Sequence, residues 1–146
     1  MAHEKTSQSD LSKGRDLHRV STKVAIFTPD ASHTLIMRMY SGTDRQMYGL
    51  AGGHVDAGEH PDDTIVRELD EELGVTVTSL QHGDFYLHEN GKIVLGYVGT
   101  LPIDTILVPS DPAKEVGVWL TRQEFDNTAI ESNYRNLVTK NWPVTA

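Results

Sequence analysis

The chain alternates between short apolar runs and polar breaks, and the period of each run predicts its element. Residues 20–27 are β-branched and apolar, and after Pro29-Asp30 a second such run follows at 34–39, so the two read as paired strands. A polar turn at 41–45 precedes Tyr48-Gly49-Leu50-Ala51-Gly52-Gly53, which leads into a Gly-rich, acidic stretch ending at Gly58-Glu59. A helix is signalled next. Pro61 suits its first turn, Asp62 and Asp63 favour its positive end, Gly74 supplies the stop, and Ile65, Val66, Leu69 and Leu73 repeat as a buried stripe. Residues 75–88 and 92–100 read as strands around an Asn90-Gly91 turn, and 115–120 as a further short strand. Residues 122–140 are helical in parts, with Leu137 and Trp142 available to dock that segment. Strands, one helix, more strands and a terminal helix predict an α/β protein, a mixed sheet with helices packed on its faces. Residues 1–16, polar and without period, read as a tail before a single domain at 17–146.

Composition narrows the chemistry. A length of 146 residues suffices for one core without staples, and the absence of cysteine removes disulfides, thiolate metal sites and a cysteine nucleophile. Any metal must sit on oxygen or imidazole. No run approaches the roughly 18 apolar residues of a membrane span, and the polar start is unlike a secretory signal, so the expected location is the cytoplasm. A net charge of −8 disfavours non-specific binding to nucleic acid. It does not exclude anionic substrates, since a site rich in carboxylates binds phosphates where divalent cations stand between the two.

The predicted helix carries an unusual acidic load. Glu68 and Glu72 are four residues apart and Glu71 is three from Glu68, so all three lie near one side, beside the apolar stripe, and are expected to be partly buried together. Like charges at this spacing repel, and carboxylates near the C-terminus oppose the helix dipole. Arg67 can pair with Glu71 or with Glu59, but one guanidinium cannot neutralise four acids. A hard divalent cation can, and Mg²⁺ or Mn²⁺ takes a few carboxylates plus water and phosphate oxygens. An isolated Glu-x-x-Glu-Glu is ordinarily a solvated face; the flanking residues decide otherwise.

From Gly53 to Val75 the chain reads Gly, five residues, Glu59, seven residues, Arg67-Glu68, Leu69, one residue, Glu71-Glu72, one residue, Gly74 and Val75. This stretch resembles the signature of the Nudix family at every defined position. Seven identities at fixed spacing arise by chance on the order of once in 10⁸ starting positions. The resemblance implies an α/β/α sandwich with a mixed sheet and hydrolysis of a diphosphate bond in a nucleoside diphosphate linked to another group. It also implies Glu68, Glu71, Glu72 and the carbonyl of Gly52 as ligands of Mg²⁺ or Mn²⁺. Glu71 and Glu72 act in catalysis on this reading, while Arg67 and Glu59 form the ion pair that aims the ligands beside Gly53.

Outside that stretch Glu115, four residues before Trp119, resembles the acidic residue that often precedes the late strand in this family, which implies a group that activates water or binds another metal; a solvated strand-edge glutamate fits the spacing equally. His54 adjoins the glycines, where it could touch substrate or be an ordinary surface histidine; His82 and His88 read as ordinary strand histidines, and Tyr48 stands where an aromatic residue is frequent in the family, a position that core packing explains equally well. The window Asn90-Gly91-Lys92-Ile93 lacks the proline or tyrosine that marks several Nudix subgroups, so the substrate is expected to be a small diphosphate, a nucleotide or nucleotide conjugate, with its identity open. Oligomeric state, a homodimer included, stays open too. Two other functions remain at this point: a nucleotide-binding or regulatory module that keeps the fold, and an isomerase of the isopentenyl diphosphate type, faintly resembled by Leu17-His18-Arg19-Val20 but needing a cysteine this chain lacks.

Overall fold

The computed structural model describes residues 18–40 and 46–144. The tail expected at 1–16 and the polar turn at 41–45 lie outside the described residues. Six strands and three helices follow: β1 (Val20–Phe27), β2 (His33–Tyr40), β3 (Gln46–Gly49), α1 (Pro61–Leu73), β4 (Gln81–Leu87), β5 (Ile93–Thr100), β6 (Glu115–Thr121), α2 (Arg122–Asp126) and α3 (Ser132–Asn141).

The sheet is mixed, as the order of elements predicts. β5 runs parallel to β1 from Val20↔Ile93 to Phe27↔Thr100, and β4 pairs antiparallel with β5. The expected β1–β2 hairpin is short, with Ile26↔Leu35 and Phe27↔Thr34 as its only partners. Beyond it the strands part, and β2 finds its long partner in β6, from His33↔Thr121 to Met39↔Glu115. The chain from residue 46 onward fills the gap that opens. Its first part is β3, an element the sequence reading missed, which pairs with β2. Its second part runs along β1, with Thr22 N donating to Gly53 O at 2.8 Å, Val24 N to Ala51 O at 3.0 Å and Val55 N to Val20 O at 3.0 Å. Gly52 and Gly53 therefore lie in the fork between two strands.

Strand alternation sends side chains to two cores. Val24, Ile26, Leu35 and Met37 meet Ile65, Leu69 and Leu73 of α1, while Ala25, Phe27 and Ile36 meet Phe125, Leu137 and Val138 of α2 and α3. The three buried α1 residues each contribute roughly 1.5–3 kcal/mol by leaving water. Trp142 docks the terminal helix, its ring edge-on to Phe27 at 5.2 Å between centroids. The sandwich is thus α/β/α.

Two details differ from the expected pattern. Val66 is 45% exposed, and Thr64 takes its place in the buried stripe, its hydroxyl satisfied by donating to Glu59 Oε1 at 2.7 Å. The strand expected from 75 starts only at Gln81; Val75 and Val77 are buried under α1 as an irregular link that joins the first core. An apolar run can be buried without being paired.

Candidate active site

The helix ends are set locally. His60 caps the start, its Nδ1 accepting from Asp62 N at 3.1 Å, with Pro61 in the first turn, and Gly74 closes the end in the left-handed conformation at φ 63°. Between them the acidic residues project toward the fork that holds the glycines. Gly52 N donates to Glu72 Oε1 at 2.9 Å. A Cβ on Gly52, at φ 139°, would fall 2.0 Å from Thr22 O; one on Gly53 would fall 2.3 Å from Glu68 Oε1. Both glycines are needed so that backbone and carboxylates can approach this closely.

Arg67 is the hub of the cluster. Its Nε donates to Glu59 Oε2 at 2.8 Å and its Nη2 to Glu59 Oε1 at 3.0 Å, a two-point clamp. Its Nη1 reaches Glu68 Oε1 at 3.1 Å and Glu71 Oε2 at 3.2 Å, and its Nη2 reaches the His54 carbonyl at 3.3 Å. The expected pairs with Glu59 and Glu71 are both present. The clamp from Arg67, with help from Thr64, holds the Glu59 carboxyl down at about 2.

Glu72 receives no such help. Burial pushes its carboxyl up to about 8, the Gly52 N–H opposes that rise, and the charges of Glu115 and Glu68 add to it. Glu115 lies on the α1 side of the sheet, because alternate β6 residues face that helix and a Cβ on Gly117 would meet Leu73 at 2.9 Å. Lys23 is the group the sequence reading missed. Its Nζ donates to Leu50 O at 3.1 Å and lies 5.6 Å from the Tyr134 ring centre. Burial lowers its pKa, while Glu72, Glu68 and Glu115 raise it. The signal was available, since Lys23 is the sole charged residue in the apolar run of β1.

The structure thus brings Gly52, Gly53, Glu59, Arg67, Glu68, Glu72 and Glu115 to one region. Glu71 is different: its side chain is 54% exposed, so the three helix carboxylates are not buried alike. His82 stands apart, bonded to Asp62 Oδ1 at 2.9 Å. Tyr48 packs against the second core.

Among the described residues no three His, Asp or Glu side chains stand ready as a metal cage. Arg67 draws Glu68 and Glu71 toward itself instead. The donor set nevertheless fits a hard divalent ion: every candidate group is an oxygen, and Glu72 is a buried carboxylate whose raised pKa comes first from that burial and then from the nearby charges of Glu115 and Glu68. Among the described residues no helix is long and apolar enough to cross a membrane.

Comparison with known proteins bears on the fold and the family. The 8-oxo-dGTP diphosphatase of Haemophilus influenzae is 26% identical over 92 residues, 63% of this chain and 68% of that protein. A MutT Nudix hydrolase from Burkholderia pseudomallei superposes with a TM-score of 0.66 at 20% identity, over 86% of this chain and 99% of that one. The NUDIX domain of Shewanella oneidensis NrtR, complexed with ADP ribose, gives 0.70 at 14% identity, over 92% and 96%. The pattern that defines the NUDIX domain matches residues 17–140, from before β1 into the last turn of α3, and the chain belongs to the Nudix family of pyrophosphohydrolases.

Proposed function

We propose that the protein hydrolyses a diphosphate bond in a nucleotide or nucleotide conjugate, with Mg²⁺ or Mn²⁺ held at the C-terminal half of α1. The observation that carries this reading is Glu72, a carboxylate fixed to the Gly52 amide among other acids at the cost of a strongly raised pKa. Such an arrangement serves no helix; it serves a cation. Glu68, Glu71, Glu72 and the Gly52 carbonyl are the oxygens offered to it. When bound, that ion neutralises charge on the phosphate oxygens and makes an adjacent water more acidic.

The chain's own groups have separate tasks around it. Arg67, clamped by Glu59, sets the direction in which Glu68 and Glu71 point. Glu115 stands off the helix yet close enough to act on Glu72, which makes it the carboxylate available to take the proton of the attacking water. Water adds to one phosphorus, the bond from that phosphorus to the bridging oxygen breaks, and two phosphate-ended products leave. The relatives support a nucleotide, since one is a diphosphatase of 8-oxo-dGTP and another is complexed with ADP ribose.

The test is chromatographic detection of the phosphate-ended products with Mg²⁺ and Mn²⁺ across nucleoside triphosphates, nucleotide sugars, ADP-ribose and dinucleoside polyphosphates, with Glu72→Gln beside the wild type. Metal-dependent release that disappears in the variant is expected. Release that persists in the variant would remove Glu72 from the mechanism, and silence across the panel would favour a nucleotide-binding module.

A further inference from the structure

The face of the sheet opposite α1 changes character along its length. Under α2 and α3 it is apolar, but toward the start of β1 no helix among the described residues covers it, and a cavity of about 700 Å³ opens there. His18, Arg19, His54, Asn90, Lys92 and Leu87 line it. The parallel register that pairs Val20 with Ile93 sets Arg19 and Lys92, the residues immediately before them, side by side. The isolated bridge between Ser21 and His54 adds the third cavity wall.

Placing two cations together is unfavourable unless an anion joins them. The protein has acids to spare, 21 against 13 basic residues, and it uses them elsewhere. Arg67, Lys114, Arg122 and Lys140 each meet a carboxylate. Among the described residues five basic side chains meet no carboxylate: Lys23 and Arg135 donate to backbone carbonyls and Arg38 lies over the Tyr40 ring, whereas Arg19 and Lys92 face the cavity. The cavity also adjoins the acidic site. His54 lines it, and the carbonyl of His54 is held by Arg67, which touches Glu68 and Glu71. Lys92 is near enough to act on Lys23, and Lys23 on Glu72.

We propose that this cavity is an anion subsite, in which Arg19 and Lys92 hold the phosphates of the substrate that lie beyond the diphosphate under attack. It rests on the hydrolase reading for its role in catalysis, and it narrows the substrate class. Chains of three or more phosphates gain contacts there that a nucleoside diphosphate joined to a neutral sugar does not make. Charge-assisted hydrogen bonds from guanidinium and ammonium supply that difference.

Binding and turnover test it separately. Calorimetry in metal-free buffer measures inorganic tripolyphosphate binding to wild type, Arg19→Gln, Lys92→Gln and, as a control of equal net charge, the exposed Lys114→Gln. Each cavity variant is expected to bind about tenfold more weakly, and the control within about twofold of wild type. Equal weakening in all three variants, or no binding by wild type, overturns the subsite. Turnover then compares a nucleoside triphosphate with ADP-ribose. The cavity variants are expected to raise KM about tenfold for the triphosphate alone, with kcat unchanged; an equal rise for both substrates overturns the proposal. Tripolyphosphate binding without hydrolysis of any substrate would sink the hydrolase reading and leave the anion site, whereas hydrolysis indifferent to Arg19 and Lys92 would do the reverse. Both positions border an open cavity, and thermal melts of each variant separate lost contacts from lost folding.

Discussion

The two ends of α1 carry the same kind of residue and treat it in opposite ways. At the N-terminal end Asp62 accepts from Tyr97 Oη at 2.6 Å and His82 Nε2 at 2.9 Å, and these bonds, Tyr97 first, hold its carboxyl below the usual range. The helix dipole favours negative charge there. Toward the C-terminal end Glu68, Glu71 and Glu72 oppose that dipole, the last turn has no basic residue, and burial drives Glu72 up to about 8. One end uses acidity to stabilise the helix. The other keeps acidity that the helix would be better without, and that stability cost is the ground on which we propose this end as the active site.

Glu72→Gln breaks that contrast most severely. Burial raises its carboxyl from 4.5 to about 8, so without divalent ions the folded protein binds more protons than the unfolded chain between those values. The contribution of this group to stability is therefore complete below the lower value and is lost as pH rises through the upper one. Gln carries no charge to bury. In metal-free buffer near pH 8 the variant is expected to be more stable by a few kcal/mol, with the gap closing near pH 5 and shrinking when Mg²⁺ is added. Urea unfolding reads this, and a wild type with flat metal-free stability across that range would contradict it. Turnover should fall about 10³-fold, as expected where several kcal/mol of transition-state stabilisation depend on a charge.

The glycines sharpen the comparison, because only the C-terminal half of α1 needs backbone so close. In Gly53→Ala the new methyl meets the far end of the Glu68 side chain, which can swing aside. The fold is expected to survive while turnover drops about 10²-fold, the scale of a misplaced reacting group. In Gly52→Ala the methyl meets the backbone of Thr22 at 2.0 Å in a conformation other residues avoid, so the loss should appear as about 3 kcal/mol or more of stability. If the two substitutions behaved alike in a melt, the fork between β1 and β2 would not be as tight as described.

These sites differ in how far the chain itself declared them. Glu68, Glu71 and Glu72 sit at helical spacing within one element, so periodicity alone placed them on one side, and Arg67 beside Glu59 followed from the same stretch. Exposure did not follow: Glu71 is half in water because rotation about the helix axis depends on what α1 packs against, which also exchanged Val66 for Thr64. The fork was not legible at all. β3 is four residues long, and the partners of β2 lie at 46–49 and 115–121, a matter of register and tertiary pairing that local pattern does not carry. Arg19, Lys92 and His54 come from three separated segments and meet only because β1 and β5 run parallel in one register. Lys23 was visible as a charge in an apolar strand, yet its neighbours were not.

Arg67→Lys tests how the acidic end is organised. A lysine keeps the charge but loses the two-point grip on Glu59 and cannot reach Glu68, Glu71 and the His54 carbonyl together. Turnover is expected to fall roughly 10- to 100-fold at saturating metal, and metal affinity to weaken with it. A variant with wild-type kinetics would mean that charge alone, without the clamp, aims the ligands.

The smallest effect belongs to the N-terminal end. Asp62→Asn removes a charge from the favourable end of the dipole but leaves a carbonyl able to accept from Tyr97 and His82. The carboxylate is half exposed, so the expected loss is about 0.3–1 kcal/mol at neutral pH. Because the folded-state pKa of Asp62 is lowered, its contribution is present above the ordinary aspartate range and is lost as pH falls through the depressed value; wild type and variant should therefore converge in acid. Turnover should not change. Asp62 and Glu72 belong to one helix and carry one kind of charge, so substitutions that move stability in opposite directions, only one of them touching catalysis, would show that position along the helix dipole, and not acidity itself, separates scaffold from site.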